Sequence, residues 1–321
     1  MSLDAVIAGV RAGERRAIGR AISTAERLGP EARAMVAALH PDTGRAWRVG
    51  VTGPPGAGKS TLIGGLAGHL RAAGRSVAVV SVDPTSPFTR GAVLGDRIRL
   101  ADHFLDPGVF IRSMASRGHQ GGLAEATADA VLVLDAAGFD VVLVETVGSG
   151  QNEVEVRSLA ETVVLALMPG SGDGVQAIKA GLMEIPDVLA VTKADRPGAD
   201  ALVSDLRTAL GLVPAGPWEP PIVEVSALEG TGLAELWAEV ERHRAFLAEE
   251  GRLDARRREG LARQLRALAA DRLARRVDAA ADGAFVDALI DEVADRRLDP
   301  AAAVDRVLER AGLEPSRRAG R

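Results

Sequence analysis

Nine consecutive residues have the types and spacing needed to hold phosphate. The stretch GPPGAGKST fits the pattern G-x-x-x-x-G-K-[ST]. Glycines let backbone N–H groups curl around phosphate oxygens, and a following helix N-terminus favours the anion. In this pattern a lysine reaches the β- and γ-phosphates, and a serine offers its hydroxyl to Mg²⁺. The predicted triphosphate-binding residues are Gly53, Pro54, Pro55, Gly56, Ala57, Gly58, Lys59, Ser60 and Thr61.

The residues on either side supply the elements that would position this loop. Trp47–Thr52 is a short apolar stretch, and it predicts a buried strand that ends where the loop begins. Leu62, Ile63, Leu66 and Leu70 recur at helical spacing and predict a helix directly after the loop. Strand, glycine-rich loop and helix thus follow in the order that phosphate binding requires.

Two short motifs further along predict that the base is guanine. TKAD, which fits the N/T-K-x-D pattern of GTP-binding proteins, ends one predicted strand, and SAL ends the next. The aspartate would accept hydrogen bonds from the guanine N1–H and N2 amine, whereas adenine would leave this carboxylate unpaired. Threonine lacks the amide donor of the commoner asparagine. The predicted base-site residues are Thr192, Lys193, Ala194 and Asp195, with Ser226, Ala227 and Leu228 giving backbone N–H groups to guanine O6.

Magnesium requires hard oxygen ligands, and four residues could supply them. Ser60 belongs to the phosphate loop, and Asp83 and Glu145 each end a predicted strand. Asp96 lies in a second acidic loop, Gly95–Ile98. Capping and surface ion pairing are the alternatives for the three acids.

The stretch that begins at Glu145 could also carry hydrolysis. Glu145-Thr-Val-Gly148 stands where an acid for Mg²⁺ and a glycine that senses the γ-phosphate belong. Gln151 lies just beyond Gly148 and could orient the attacking water. We therefore predict Lys59, Glu145 and Gln151 as the catalytic residues and Gly148 as a nucleotide contact.

The composition excludes several other classes of protein. The formal net charge of −5 argues against a nucleic-acid binder, which needs a basic face. The absence of cysteine excludes disulfides and thiolate metal sites. There is neither a signal peptide nor an apolar run of ~18 residues, so we expect a cytoplasmic protein that spans no membrane. Lysine occurs only at positions 59, 179 and 193, whereas the other 36 basic residues are arginine.

The hydrophobic pattern predicts an α/β fold with a doubly wound, mostly parallel sheet. Apolar runs without alternation indicate strands buried on both faces. They occupy 77–82, 109–111, 140–145, 162–168, 188–192 and 222–225, with helices at 123–134 and 176–183 between them. Residues 1–45 predict a helical extension that packs on the rest, 46–245 the nucleotide-binding domain, and 246–321 a C-terminal helical arm. The arginine-rich stretch 252–276 has interleaved acids and no aromatics, so it favours a solvated face or a dimer arm.

Eight segments in one order resemble a known family. They are GPPGAGKST, SVDPTSPFT, GAVLGDRIR, RGHQGGLAEAT, ETVGSGQNE, QAIKAGLMEIPD, TKAD and SALEGTGLAELW. Together they look like the methylmalonyl-CoA mutase-associated G proteins, earlier described as arginine/ornithine transport-system kinases. The resemblance covers about residues 3–245.

The resemblance implies more than the motifs do. It implies a P-loop GTPase of the SIMIBI class that forms homodimers through helical extensions, with GTP, GDP and Mg²⁺ as ligands. It also implies a chaperone that gates cobalamin delivery to a B12-dependent acyl-CoA mutase and protects that enzyme, with a cobalamin adenosyltransferase as a further partner. Methylmalonyl-CoA mutase and an isobutyryl-CoA-type mutase would look the same as clients. The loop Gly170–Lys179 resembles a switch segment, whose residues are Gly170, Ser171, Gly172, Asp173, Gln176 and Lys179.

Two other functions stay open at this point. One is an ATP-dependent small-molecule kinase, although TKAD and SAL argue against it because such kinases usually lack a guanine-reading loop. The other is a nickel-type metallochaperone GTPase. Proteins of that kind typically carry histidine or cysteine clusters, whereas the five histidines here are scattered.

Overall fold

Seven parallel strands form one sheet in the part of the chain that the structure describes. The computed structural model describes residues 1–83, 103, 105–115, 120–146, 152–170, 186–212 and 216–313, except for the side chains of 83, 115, 120–124, 146 and 152–155. The strand order is β3-β2-β4-β1-β5-β6-β7, and every neighbouring pair is parallel. The strands are β1 (Trp47–Thr52), β2 (Val77–Asp83), β3 (Val109–Ala115), β4 (Val141–Thr146), β5 (Thr162–Leu167), β6 (Val188–Thr192) and β7 (Ile222–Val225).

The predicted α/β sheet is thus confirmed, and most strand bounds agree with it. One difference has a clear cause: the strand predicted at 109–111 continues to Ala115. Arg112 and Ser113 pair with Val80 and Ser81 of β2, so polar residues extend the strand beyond its apolar run. Arg112 also binds Glu26 with 2.6 Å between Nη2 and the carboxylate oxygen.

The described helices flank the strands and form both ends of the chain. The predicted helix at 123–134 lies within α5, whereas the one predicted at 176–183 is outside the described residues. The helices are α1 (Leu3–Arg11), α2 (Arg15–Glu26), α3 (Pro30–Leu39), α4 (Lys59–Ala72), α5 (Gln120–Ala136), α6 (Asn152–Leu159), α7 (Ala199–Leu210), α8 (Leu233–Ala248), α9 (Arg252–Ala280), α10 (Gly283–Ala294) and α11 (Pro300–Arg310).

Alternation along β2 shows how the sheet separates two cores. Ala78, Val80 and Val82 face a core that includes α1, α2, α3, α5 and α6. Val77 and Val79 face the other core, which includes α4 and α8. Successive strand residues point to opposite faces, so a strand with apolar residues at both parities is covered on both sides. The N-terminal helices are part of one core, as the sequence predicts.

Two buried carboxylates hold the start of α9 against the segments that precede β5 and β6. Asp187 accepts from the backbone N–H of Val163 at 2.8 Å and from Arg256 at 2.7 Å. Glu161 accepts from the backbone N–H of Arg48 at 2.9 Å and from Arg257 at 3.1 Å. Buried charges are tolerated only when they are paired and hydrogen-bonded, so these contacts position the first turns of α9.

The chain divides into two compact units, Met1–Gln264 and Leu265–Arg321. The second contains most of α9 together with α10 and α11. Asp299 caps α11 by accepting from the N–H groups of Ala301 and Ala302, and Pro300 stands in the first turn. The predicted domain limits at 45 and 245 stay a prediction. Within the described ranges, every helix is either too short or too polar to span a bilayer.

His243 is a buried titratable group of the first unit. Its Nδ1 lies 2.9 Å from the Thr162 hydroxyl, and its Nε2 lies 3.5 Å from Asp187. Burial lowers the pKa of His243 to about 4, and the nearby Arg256 and Arg157 act in the same direction against Asp187. The imidazole is therefore neutral at physiological pH.

We expect this histidine to make stability depend on pH. Its folded pKa is below the ordinary value, so the unfolded chain binds the proton more tightly and stability falls as the pH drops from about 6.5 toward 4. The free energy of unfolding lost in this way should approach about 3 kcal/mol. The measurement is the free energy of unfolding in urea at several pH values between 7.5 and 4.5. This free energy should depend less steeply on pH for His243→Gln than for the wild type. The exposed His40→Gln is the control, and equal slopes for His243→Gln and wild type would contradict the expectation.

Candidate nucleotide-binding site

The loop between β1 and α4 has the backbone shape that its glycines predict. Gly53, Gly56 and Gly58 have φ values of 140°, 79° and 79°, which side-chain-bearing residues rarely adopt. A Cβ on Gly53 would lie 2.1 Å from the carbonyl oxygen of Ala166 on β5. The loop therefore passes too close to the neighbouring strand for any residue but glycine.

Lys59 is folded back over this loop. Its Nζ donates to the carbonyl oxygens of Gly53 at 2.8 Å and Pro54 at 3.0 Å, and the side chain is buried. Gly58 precedes α4 and gives the helix no side-chain cap. A phosphate at this point would face the backbone N–H groups of the first turn of α4 and the positive end of its dipole.

Ser60 and Glu145, both predicted Mg²⁺ ligands, are in contact. The Ser60 hydroxyl donates to Glu145 Oε1 at 2.6 Å, and both side chains are buried. Ser81 of β2, which the sequence analysis missed, donates to Glu145 Oε2 at 2.9 Å. A hydroxyl and a carboxylate are donors that suit Mg²⁺, which also takes phosphate oxygens and water. No group of three or more His, Asp or Glu within the described residues could hold a metal by itself.

The other predicted residues of this region are only partly described. Asp83 ends β2, and Glu145 lies in β4, the strand beside it; the Asp83 side chain is outside the described residues. Gly170 follows β5 with a φ of 79°. The predicted residues outside the described ranges are Asp96, Gly148, Gln151, Ser171, Gly172, Asp173, Gln176 and Lys179. Their roles stay predictions.

The two predicted base motifs meet in one pocket. Ser226 Oγ donates to Asp195 Oδ1 at 2.7 Å, and the N–H of Ala194 donates to the carbonyl of Val225 at 3.2 Å. The hydrogen bond from Ser226 holds the pKa of Asp195 below its usual value, so the carboxylate is charged and can accept hydrogen bonds. The pocket is lined by Gly58, Thr61, Leu62, Thr192, Lys193, Asp195, Arg196, Val225, Ser226, Ala227 and Leu228.

Thr192 and Lys193 connect the base motif to the phosphate loop. The Thr192 hydroxyl lies 2.6 Å from the carbonyl oxygen of Ala57 and 2.9 Å from that of Leu167. Lys193, with a φ of 52°, donates from Nζ to the carbonyl of Gly56 at 2.7 Å. The hydroxyl thus takes the place of the amide donor that threonine lacks, because the carbonyl oxygen of Ala57 is within its reach.

Gly232 sets the shape of the loop after β7. The backbone N–H groups of Ser226 and Thr231 donate to each other's carbonyl oxygens at 3.1 Å, which closes a short loop around the SAL motif. Gly232 follows with a φ of 76°, and a Cβ there would lie 2.0 Å from the carbonyl oxygen of Glu224. The second glycine of the SALEGTG segment was the feature of the sequence that could have indicated this close approach.

A parallel sheet with this loop and these base motifs at one edge defines a P-loop GTPase, and the comparisons with known proteins agree. Residues 18–282 match the model of the family described as methylmalonyl-CoA mutase-associated GTPase MeaB. The chain belongs to this family.

Individual relatives cover most of the chain. A Pyrococcus abyssi protein classed as a GTPase is 47% identical over 96% of both chains. The GTPase ArgK of Escherichia coli is 37% identical over 76% of both chains. A crystal structure of an LAO/AO transport system kinase has a TM-score of 0.72 and 28% identity over 96% of both chains.

We expect Thr192→Val to weaken GDP binding by about tenfold. The change keeps the shape but removes a buried hydrogen bond worth on the order of 1.4 kcal/mol, which leaves a buried carbonyl without this donor. Fluorescence titration with mant-GDP measures the loss. Thr208→Val is the matched control, because the Thr208 hydroxyl donates to the Ser204 carbonyl on α7, away from the pocket. Equal GDP affinities for Thr192→Val and the wild type would show that GDP binding does not depend on the hydrogen bond from the Thr192 hydroxyl to the phosphate loop.

Proposed function

We propose that this GTPase is a magnesium-dependent molecular switch that assists and protects a B12-dependent acyl-CoA mutase and gates its loading with cobalamin. Methylmalonyl-CoA mutase is the first proposed client. One observation supports a switch that depends on guanine nucleotides: the start of α4 and both base motifs line the same pocket. The description of the matching family supports the client.

The phosphate half of the site would work through charge and backbone donors. When GTP binds, Lys59 would exchange the carbonyl oxygens of Gly53 and Pro54 for the β- and γ-phosphates. The N–H groups at the start of α4 would face the phosphates, where the helix dipole also favours negative charge. Both contacts stabilise charge that develops on the phosphate oxygens during hydrolysis.

Ser60 and Glu145 would hold the magnesium ion, together with Asp83 and Asp96. The ion that these residues would hold would supply positive charge to offset the negative charge that develops on the phosphate oxygens. The contact between Ser60 and Glu145 supports this assignment, because it sets a hydroxyl beside a carboxylate at the start of α4. The proposed water-positioning residue is Gln151, and Gly148 is the proposed γ-phosphate sensor.

The remaining proposals concern partners. The segment Gly170–Lys179 would relay the nucleotide state to the mutase, and a cobalamin adenosyltransferase is the second proposed partner. We propose a cytoplasmic homodimer that associates through the C-terminal helices. Large apolar side chains exposed on those helices support this: Leu265, Leu273, Ile290 and Val304.

An ATP-dependent kinase of the arginine transport type is the competing function, and the base pocket distinguishes the two. Asp195→Asn replaces a carboxylate acceptor with an amide donor. This donor would oppose the N2 amine of guanine, which is also a donor, but it could donate to the carbonyl that xanthine has at the same position. We expect GDP affinity to fall at least about 100-fold while XDP affinity rises. The exposed Asp200→Asn on α7 is the control, and mant-nucleotide titration is the measurement. Tight wild-type ATP binding with phosphate transfer to arginine would overturn the GTPase switch.

The client is tested by co-purification. We expect the wild-type protein to retain methylmalonyl-CoA mutase on a column, to a different extent with GDP than with a non-hydrolysable GTP analogue. Asp195→Asn should lose this difference with guanine nucleotides and regain it with the xanthine nucleotides. An isobutyryl-CoA-type mutase is run in parallel. Failure to retain either mutase with any nucleotide would overturn the chaperone role and leave the GTPase intact.

A further inference from the structure

Ser81 is a polar residue in a row of apolar ones. Val77 and Val79 share its side of β2 and face the core that contains α4, whereas Val80 and Val82 face the opposite core. Ser81 is 1% exposed. A buried hydroxyl in an apolar row costs free energy unless it finds a hydrogen-bonding partner. Its partner is Glu145, with 2.9 Å between Oγ and Oε2.

Strand pairing brings these two side chains together. Ser81 and Glu145 are register partners in the parallel pair of β2 and β4. Paired residues of neighbouring strands point to the same face, so the hydroxyl meets the carboxylate from the side. Ser60, at the start of α4, reaches the other carboxylate oxygen from that same face at 2.6 Å. Glu145 is 5% exposed.

We propose that Ser81 is a positioning residue for the magnesium site, an inference that rests on the proposed function. By donating to Oε2, the Ser81 hydroxyl fixes the rotation of the Glu145 carboxylate and directs Oε1 toward Ser60. The hydroxyl–carboxylate pair is then ready before nucleotide and metal arrive. In this role Ser81 would act through Glu145 and would not be a metal ligand itself.

A second hydrogen bond restricts the rotation of a carboxylate about its last side-chain bond more than one hydrogen bond does. Partners that orient a metal ligand typically matter 10–100-fold in metal affinity when they are removed. Ser81→Ala removes the donor, and Ser81→Thr keeps it. The chain also offers a matched control, because Ser76 makes a second serine–carboxylate bond between the β2 and β4 segments. Ser76 Oγ donates to Asp140 Oδ2 at 2.8 Å, just before both strands begin.

The test measures mant-GDP dissociation from the full chain across a series of MgCl₂ concentrations and in EDTA. The readout is the Mg²⁺ concentration that gives half the maximal slowing of dissociation. We expect Ser81→Ala to raise this concentration by about 10-fold or more. Ser81→Thr and Ser76→Ala should stay near the wild-type value, and the rates in EDTA should be alike for all four proteins.

The outcomes separate this inference from the proposed function. An unchanged Mg²⁺ requirement in Ser81→Ala overturns the inference, and so does an equal shift in Ser81→Thr, which keeps the hydroxyl. If Ser81→Ala accelerates mant-GDP dissociation equally with and without Mg²⁺, the role of Ser81 is purely structural. This result overturns the inference too. If Mg²⁺ does not slow mant-GDP dissociation from the wild type, the proposed metal site fails, and the inference fails with it.

Discussion

The site depends on one constraint, the common direction of the strands. Because β1, β2, β4, β6 and β7 are parallel, their carboxyl ends all lie at the same edge of the sheet. Residues 135 positions apart are thereby within hydrogen-bonding distance, as Ala57 and Thr192 are. Ligands of open parallel sheets bind at this edge for the same reason. An antiparallel neighbour would have sent either the base motif or Glu145 to the opposite end.

Within that edge, the phosphate and base halves are joined by short polar contacts. The Thr192 hydroxyl and the Lys193 ammonium both reach carbonyl oxygens of the phosphate loop. Lys59 contacts two further carbonyls of the same loop. The loop therefore has carbonyl oxygens turned toward cationic or hydroxyl donors, and its positive-φ glycines make that arrangement possible without steric conflict.

The sequence predicts the parts of the molecule that obey a local rule. Near-continuous Val and Leu runs identify the strands because both faces of a parallel sheet are buried. The glycine spacing of the phosphate loop and the TKAD and SAL motifs identify the two halves of the site. Relations between distant residues were not predictable, such as the one between Arg48 and Glu161 or the hydrogen bond from Ser81 to Glu145. These depend on strand order and register, which local patterns do not encode. The extension of β3 through Arg112 and Ser113 was missed because it depends on pairing with β2 rather than on apolar composition.

The scarcity of lysine has a chemical consequence. The chain has three lysines, and two of them, Lys59 and Lys193, contribute ammonium groups to the nucleotide loop. Arginine guanidinium groups stay protonated and do not react with acylating reagents under mild conditions. Acylation of lysine side chains is therefore confined to three positions despite 39 basic residues, and two of these lysines contact the loop between β1 and α4. Acylation at Lys59 and Lys193 would therefore report on the state of this loop, whereas the arginine-rich surface would not react.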